Sequence, residues 1–282
     1  MIRTLLRPLP RTVPKPNLKR LPKGKAVSIG VGFRCDLGIV LCSDTQITWK
    51  GRHKAYETKQ FYPCGHEWTM ASVYAGDPQL WKSFCNKFME YIEAHYKANA
   101  REPNTTKELR EILETTLCYF SELDSDPLAL CLLVGFVIRN KEIRLVKTEG
   151  KLISDVDVFD HVGCGDSSLL RYLTPITAEK DRWPTISQAL YAGTYWVLQA
   201  KRWVEDCGGD TEAFVLHWKG TVHNRNGATY NWEQHLLGLE LNLATMLKTL
   251  GDPTIKDEDF EDRLTIFSRH LREERGLLRR GL

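Results

Sequence analysis

The stretch AVSIGVGFRCDLGIVLCSDTQ, Ala26 to Gln46, places a serine hydroxyl, Ser28, at the start of one short apolar strand, while Asp44 and Thr45 close a second. Other chemistries fit the chain less well. Its eight histidines, His53, His66, His95, His161, His217, His223, His235 and His270, are dispersed without ligand spacing, so no metal set is predicted. The eight cysteines, at 35, 42, 64, 85, 118, 131, 164 and 207, stand singly without C-x-x-C pairs, and several lie in apolar runs. That pattern suits reduced thiols in a cytosolic core, not a disulfide frame or a zinc site. Cys164 has no base beside it, because His161 falls on the opposite strand face by spacing; a buried core thiol is its ordinary reading. Trp196, Trp203, Trp218 and Trp232 read as core and interface residues, not as a base-stacking platform. No cofactor is indicated.

The elements that must position these groups begin after a basic arm. Residues 1–25 carry Arg3, Arg7, Arg11, Lys15, Lys19, Arg20, Lys23 and Lys25 with no acid, broken by Pro8, Pro10, Pro14, Pro16 and Pro22. Prolines at that density exclude a helix, and the segment buries too little surface to offset its ordering entropy. It reads as an extended arm or propeptide, with an organelle-targeting peptide as the alternative reading. The whole chain has 282 residues, 42% hydrophobic and 27% charged, with a net charge of only +3, so the overall balance gives no argument for nucleic acid. No apolar run approaches the roughly 18 residues of a membrane helix, and a soluble, cytoplasmic protein is expected.

The pattern predicts a hairpin of strands near 28–35 and 39–44 turning at Gly38, then a polar connection and an inner strand in EWTMASVYAGD. From Pro78 the period becomes helical, with Leu80, Phe84, Phe88, Tyr91, Ile92 and Tyr96 on one stripe, and a second helix is predicted from Lys107 to about Leu123. LALCLLVGFVI and EIRLVKT form a buried hairpin, DVFDHVG a short strand, DSSLLRYL and PTISQALYAGTYWVLQAKRWVED helices, and EAFVLHW a strand. Two packed sheets with helices grouped outside them follow from that order, not a βαβ chain. Beyond Gly220 come a polar loop, a helix from Asn231 to about Leu250, and a charged final segment that reads as a packed surface helix or an oligomer contact. No internal repeat is present.

Four signatures in this order resemble the proteasome β-type family of N-terminal nucleophile (Ntn) hydrolases: SIGVGFRCDLGIVLCSDTQ, TMASVYAGD, HVGCGDSSLLRYL and RWVEDCGGDTEAFVLH. The resemblance covers roughly Ala26 to Lys219. It implies an α+β fold, a four-layer αββα sandwich over residues 26–220, with residues 221–282 as a helical C-terminal extension. It also implies ring assembly, with peptide or protein as substrate, an unfoldase as a further partner, and no nucleic acid or membrane. The nucleophile of the family is a hydroxyl on the first residue of the mature chain, whose α-amine acts as base. Aligned through Gly38 and Asp44, that residue is Ser28, Asp44 is the supporting carboxylate, and the Gly76 N–H is the oxyanion donor.

The chain departs from the pattern in places. Hydrophobic register puts Gln60 where the family has its lysine, with Lys59 one position away and so on the opposite strand face unless a bulge or loop shift turns it inward. Val27, stiff at its β-branch, replaces the small residue that permits self-cleavage, and an alternative register sets Ala26 first and leaves no nucleophile. Cys164 and Cys207 replace two serines, and Glu205 or Asp206 stands for the family's aspartate. The functional expectation is therefore a peptidase subunit active once the arm is removed. Its alternatives are a non-catalytic ring subunit and an Ntn-type small-molecule amidase.

Overall fold

The computed structural model describes residues 28–48, 54–122, 130–163 and 183–280. The basic arm, Val27, Cys164 and the helix predicted at DSSLLRYL lie outside the described residues. Twelve strands and five helices occur among those described, and the sheets are antiparallel throughout.

The first sheet has the order β10-β1-β2-β11-β12, formed by β1 (Ile29–Cys35), β2 (Gly38–Asp44), β10 (Phe159–Gly163), β11 (Thr211–His217) and β12 (Val222–Asn224). The second has the order β5-β6-β7-β8-β9, from β5 (Gln60–Phe61), β6 (Trp68–Gly76), β7 (Leu130–Ile138), β8 (Glu142–Glu149) and β9 (Leu152–Asp155). Between them in sequence, β3 (Gln46–Thr48) and β4 (Lys54–Tyr56) pair as a separate ribbon inside what reads as a polar connection.

Strand β7 is almost wholly buried, an unbroken apolar run instead of an alternating one. Such a run is expected of a strand covered on both faces. Leu133 and Val137 pack with Ile39 and Leu41 of β2 and Phe214 and Leu216 of β11 in an apolar layer between the two sheets. Leu132, Val134, Phe136 and Ile138 point the other way, onto α1 (Pro78–Asn99) and α2 (Thr106–Glu122). On the far side of the first sheet, Val31, Phe33, Val40 and Cys42 meet α3 (Ile186–Trp203), whose Trp196 sits fully buried at the edges of Phe33 and Phe159.

The helices start where local chemistry predicts. Asp77 caps α1 by accepting from the Gln79 and Leu80 amides, with Pro78 at the first turn, where its missing N–H costs nothing. Thr185 and Gln188 form a reciprocal capping box at α3. After β12 come α4 (Asn226–Leu250), which starts five residues earlier than the apolar pattern predicts, and α5 (Asp257–Arg280). None of the described helices is long and apolar enough to cross a membrane.

Candidate functional site

Ser28 directly precedes β1, and Asp44 ends β2, so the hairpin turning at Gly38 returns the two residues to the same end of the sheet. The Ser28 hydroxyl donates to Asp44 Oδ1 at 2.8 Å, and the Ile29 amide donates to the same oxygen at 3.1 Å. The other carboxylate oxygen accepts from the Gly208 amide at 3.0 Å. Both oxygens of a fully buried carboxylate are therefore engaged, as burial of a charge requires.

Lys59 completes the cluster. Its ammonium donates to Ser28 Oγ, to Asp44 Oδ1 at 2.6 Å and to the Gln46 carbonyl at 2.5 Å, and the side chain is 1% exposed. The expected one-residue slip does not remove it, because Lys59 is not in a strand: β5 contains only Gln60 and Phe61, and the three residues before it are coil. Alternation has no hold there. Gln60, in register opposite Val73, leaves its amide nitrogen buried without a hydrogen-bond partner among the described residues.

The coil is held by Glu212, the second residue of β11, which sequence reasoning missed. Glu212 Oε2 accepts from the Thr58 hydroxyl at 2.9 Å and from the Lys59 amide at 3.2 Å. Burial raises the pKa of this carboxyl above the ordinary glutamate value, although the Thr58 and Lys59 hydrogen bonds pull the other way. Its one signal in the sequence is a carboxylate at the head of an otherwise apolar strand, EAFVLH.

Two backbone features fix the rest. Gly163 ends β10 at φ +101°, and a Cβ there would overlap the Ser28 carbonyl oxygen and crowd Ala75. Only glycine permits that approach. Ala75 and Gly76 close β6, Gly76 at φ +135°, so this end of the second sheet adjoins the Ser28 backbone across Gly163. Asp206 lies in the turn after α3, in a segment that joins the site through its glycines. Gly208 binds Asp44 and gives its carbonyl to the Gln46 amide at 3.1 Å, while the Asp210 amide donates to Thr45 Oγ1 at 2.9 Å. Cys207 is buried in the core beside α3.

Ser28, Asp44 and Lys59 thus come together, and Gly76 ends a neighbouring strand. Cys164 lies outside the described residues. No group of three histidine, cysteine, aspartate or glutamate side chains able to hold a metal occurs among the described residues.

No protein-family model and no curated protein matches the chain. Solved structures do. Anbu (ancestral beta-subunit) from Yersinia bercovieri matches with a TM-score of 0.64 at 14% identity, over 81% of this chain and 99% of that one. Anbu from Hyphomicrobium sp. strain MC1 matches with a TM-score of 0.61 at 13% identity, over 80% of this chain and 100% of that one. A Gly-1 mutant of Anbu from the same organism gives 0.60 at 12% identity, over 78% and 99%. These matches correct the placement suggested by the sequence signatures, which pointed to the proteasome β-type family: these solved neighbours are ancestral beta-subunit proteins, and no family model supports the former placement. The chain has the fold of the Anbu proteins.

Proposed function

We propose that the protein is a proteasome-like subunit that hydrolyses peptide bonds with Ser28 once the residues before it are removed. The observation that carries this reading is the buried contact of the Ser28 hydroxyl with both Asp44 and Lys59. A hydroxyl held between a carboxylate and an ammonium is oriented, but neither charge is a free base while they neutralise each other. In the uncut chain the Ser28 nitrogen is an amide and takes no proton. Cleavage of the Val27–Ser28 bond turns it into an α-amine with a pKa near 8, able to accept the hydroxyl proton as Oγ attacks the substrate carbonyl.

The Lys59 ammonium, close to both groups, lowers their proton affinity electrostatically and stabilises the developing alkoxide. The Gly76 N–H is assigned to the oxyanion. Collapse of the tetrahedral intermediate returns the proton to the departing amine and leaves an ester on Ser28. Water attacks that ester, its proton going to the α-amine, and frees the second product. Asp44 binds the Ile29 and Gly208 amides throughout and keeps the hydroxyl aimed.

The apolar layers on both faces of each sheet support an αββα sandwich of the Ntn type for the body of the chain. That the solved neighbours are ancestral beta-subunits supports a subunit of an oligomer. The free thiols of Cys35, Cys42, Cys64, Cys85 and Cys118 fit a reducing, cytoplasmic setting.

Intact mass and N-terminal sequencing of untagged protein test the reading, followed by assay on fluorogenic peptides. We expect a mature chain starting at Ser28 whose turnover is lost in Ser28→Ala. A chain that keeps its arm in the active assembly, or activity unchanged in Ser28→Ala, defeats it. A retained arm without activity would favour the non-catalytic ring subunit.

A further inference from the structure

Strand β5 is an outer edge of the second sheet and β12 an outer edge of the first, and a cavity of about 370 Å³ lies where the two edges come together. Gln60 and Phe61 of β5, Asn224 of β12, Asn226 at the start of α4 and Glu212 of β11 line it. None of Ser28, Asp44 or Lys59 does.

The polar groups of this cavity have settled orientations. Asn226 Oδ1 accepts from the Ala213 amide at 2.9 Å, and Asn224 Oδ1 from the Asn226 amide at 2.9 Å. A backbone N–H demands the oxygen, so neither side-chain amide can be flipped, and each keeps an NH₂ group that donates to no described residue. Gln60 adds a third amide, whose nitrogen is buried and unpartnered among the described residues; such a group ordinarily finds an acceptor. Glu212 commits Oε2 to Thr58 and Lys59, and its Oε1 accepts nothing among the described residues. Of the described residues that line the cavity, Glu212 alone is charged, and burial already raises its affinity for a proton. Phe61, Tyr62 and Pro63 supply an apolar wall, with the Tyr62 ring centre 6.2 Å from that of Phe214.

We propose that this cavity binds a free α-amino acid with an apolar side chain. The ligand ammonium donates to Glu212 Oε1 and supplies the cation that this half-enclosed carboxylate lacks. The ligand carboxylate, with several lone pairs, accepts from the amides of Asn224, Asn226 and Gln60, and the side chain lies along Phe61, Tyr62 and Pro63. An acid without the amine would set its charge against Glu212, while an amine without the acid would leave the amide donors unmatched. The volume is near the lower end of small-ligand pockets, about 300 Å³, as a single amino acid requires. Because Glu212 Oε2 holds the Lys59 amide, a bound amino acid bears on the segment that carries the ammonium of the Ser28 cluster.

Isothermal titration calorimetry of the full chain with L-leucine tests this without reference to peptidase activity. N-acetyl-L-leucine and isoamylamine serve as the probes that lack the cation and the anion. We expect L-leucine to bind with a Kd of about 0.01–1 mM, and each truncated probe to bind at least about tenfold more weakly. Glu212→Gln keeps an acceptor for Thr58 and Lys59 but removes the charge, and Asn224→Asp keeps the oxygen for the Asn226 amide but removes the donor. Each should weaken L-leucine about tenfold or more, while its circular dichroism spectrum matches the wild type. L-leucine should also move the Thr58 and Lys59 amide resonances, and Glu212→Gln should abolish that shift. Absence of both heat and shifts at about 10 mM L-leucine overturns the proposal. So does wild-type protein that takes N-acetyl-L-leucine or isoamylamine as tightly as L-leucine, or binding that both variants leave unchanged. Loss of peptidase activity with leucine binding intact would count against Ser28 and leave this site standing.

Discussion

Lys59 and Asp44 face each other at 2.6 Å with 1% and 0% of their side chains exposed. Each makes the other's burial tolerable, so removing one partner strands the other. We expect Lys59→Met to lose about 3–5 kcal/mol of stability, with Lys59→Met/Asp44→Asn recovering much of it, measured by urea unfolding. Glu212 supplies a pH signature. Its carboxyl pKa is raised by burial, so between the ordinary glutamate value of 4.5 and the raised one the folded chain holds the proton more readily than the unfolded chain. Stability from this group is therefore complete below pH 4.5, falls as pH rises through that window, and is level above it. Glu212→Gln keeps an acceptor for Thr58 and Lys59 without the titration. Urea midpoints of wild type relative to Glu212→Gln should fall across the window, and parallel curves would contradict the assignment. Ser28 and Asp44 were legible because a hairpin with a glycine turn fixes which residues return together. Lys59 reads as inward only if a loop shift interrupts the strand, because a period-two pattern carries no register through coil, and Glu212 is brought to the site only by the pairing of β11 with β2.

Strand β10 ends against the Ser28 backbone, and Gly163 makes that contact possible. Gly163→Ala adds a methyl where the carbonyl oxygen of Ser28 lies and forces alanine to φ +101°. A loss of at least about 2 kcal/mol is expected, because strain and overlap add. The Ser28 and Ile29 amide resonances should shift with it; a variant as stable as wild type with those resonances unmoved would show that the two strands are not in contact. Helices α1, α2 and α3 were readable from apolar spacing and caps, and β7 with β8 from apolar runs. The ribbon β3–β4 and strands β9 and β12 were not, being three or four residues long and, apart from the buried β3, largely exposed. The early start of α4 was hidden for a related reason: Arg225 makes no side-chain capping bond, so the sequence carries no start signal there.

Two sheets stacked through Ile39, Leu41, Phe214 and Leu216 place the site at one end of a doubly covered core. Order and apolarity of the strands predicted two packed sheets, but which strands share a sheet depends on long-range pairings that no local pattern records. Trp196 anchors the helical side of the first sheet, fully buried between Phe33 and Phe159. Trp196→Ala should cost about 3–5 kcal/mol, read from the urea midpoint, and a change below about 1 kcal/mol would mean that this layer is not a packed core. The 25 residues of α4 span about 37 Å, one rod belonging to the body at its first turns and to the surface at its last. Near its start Thr229 donates to the Thr211 carbonyl at 2.7 Å and Glu233 accepts from the Thr211 hydroxyl; Thr211 in turn lies opposite Asp44 in the β2–β11 register. In mechanical terms α4 is a lever with its fulcrum at Trp232 and Leu236. A push on the exposed Leu243, Leu247 and Leu250 arrives at the strand beside the buried carboxylate, which gives a solvent-sealed cluster a handle on the protein's surface.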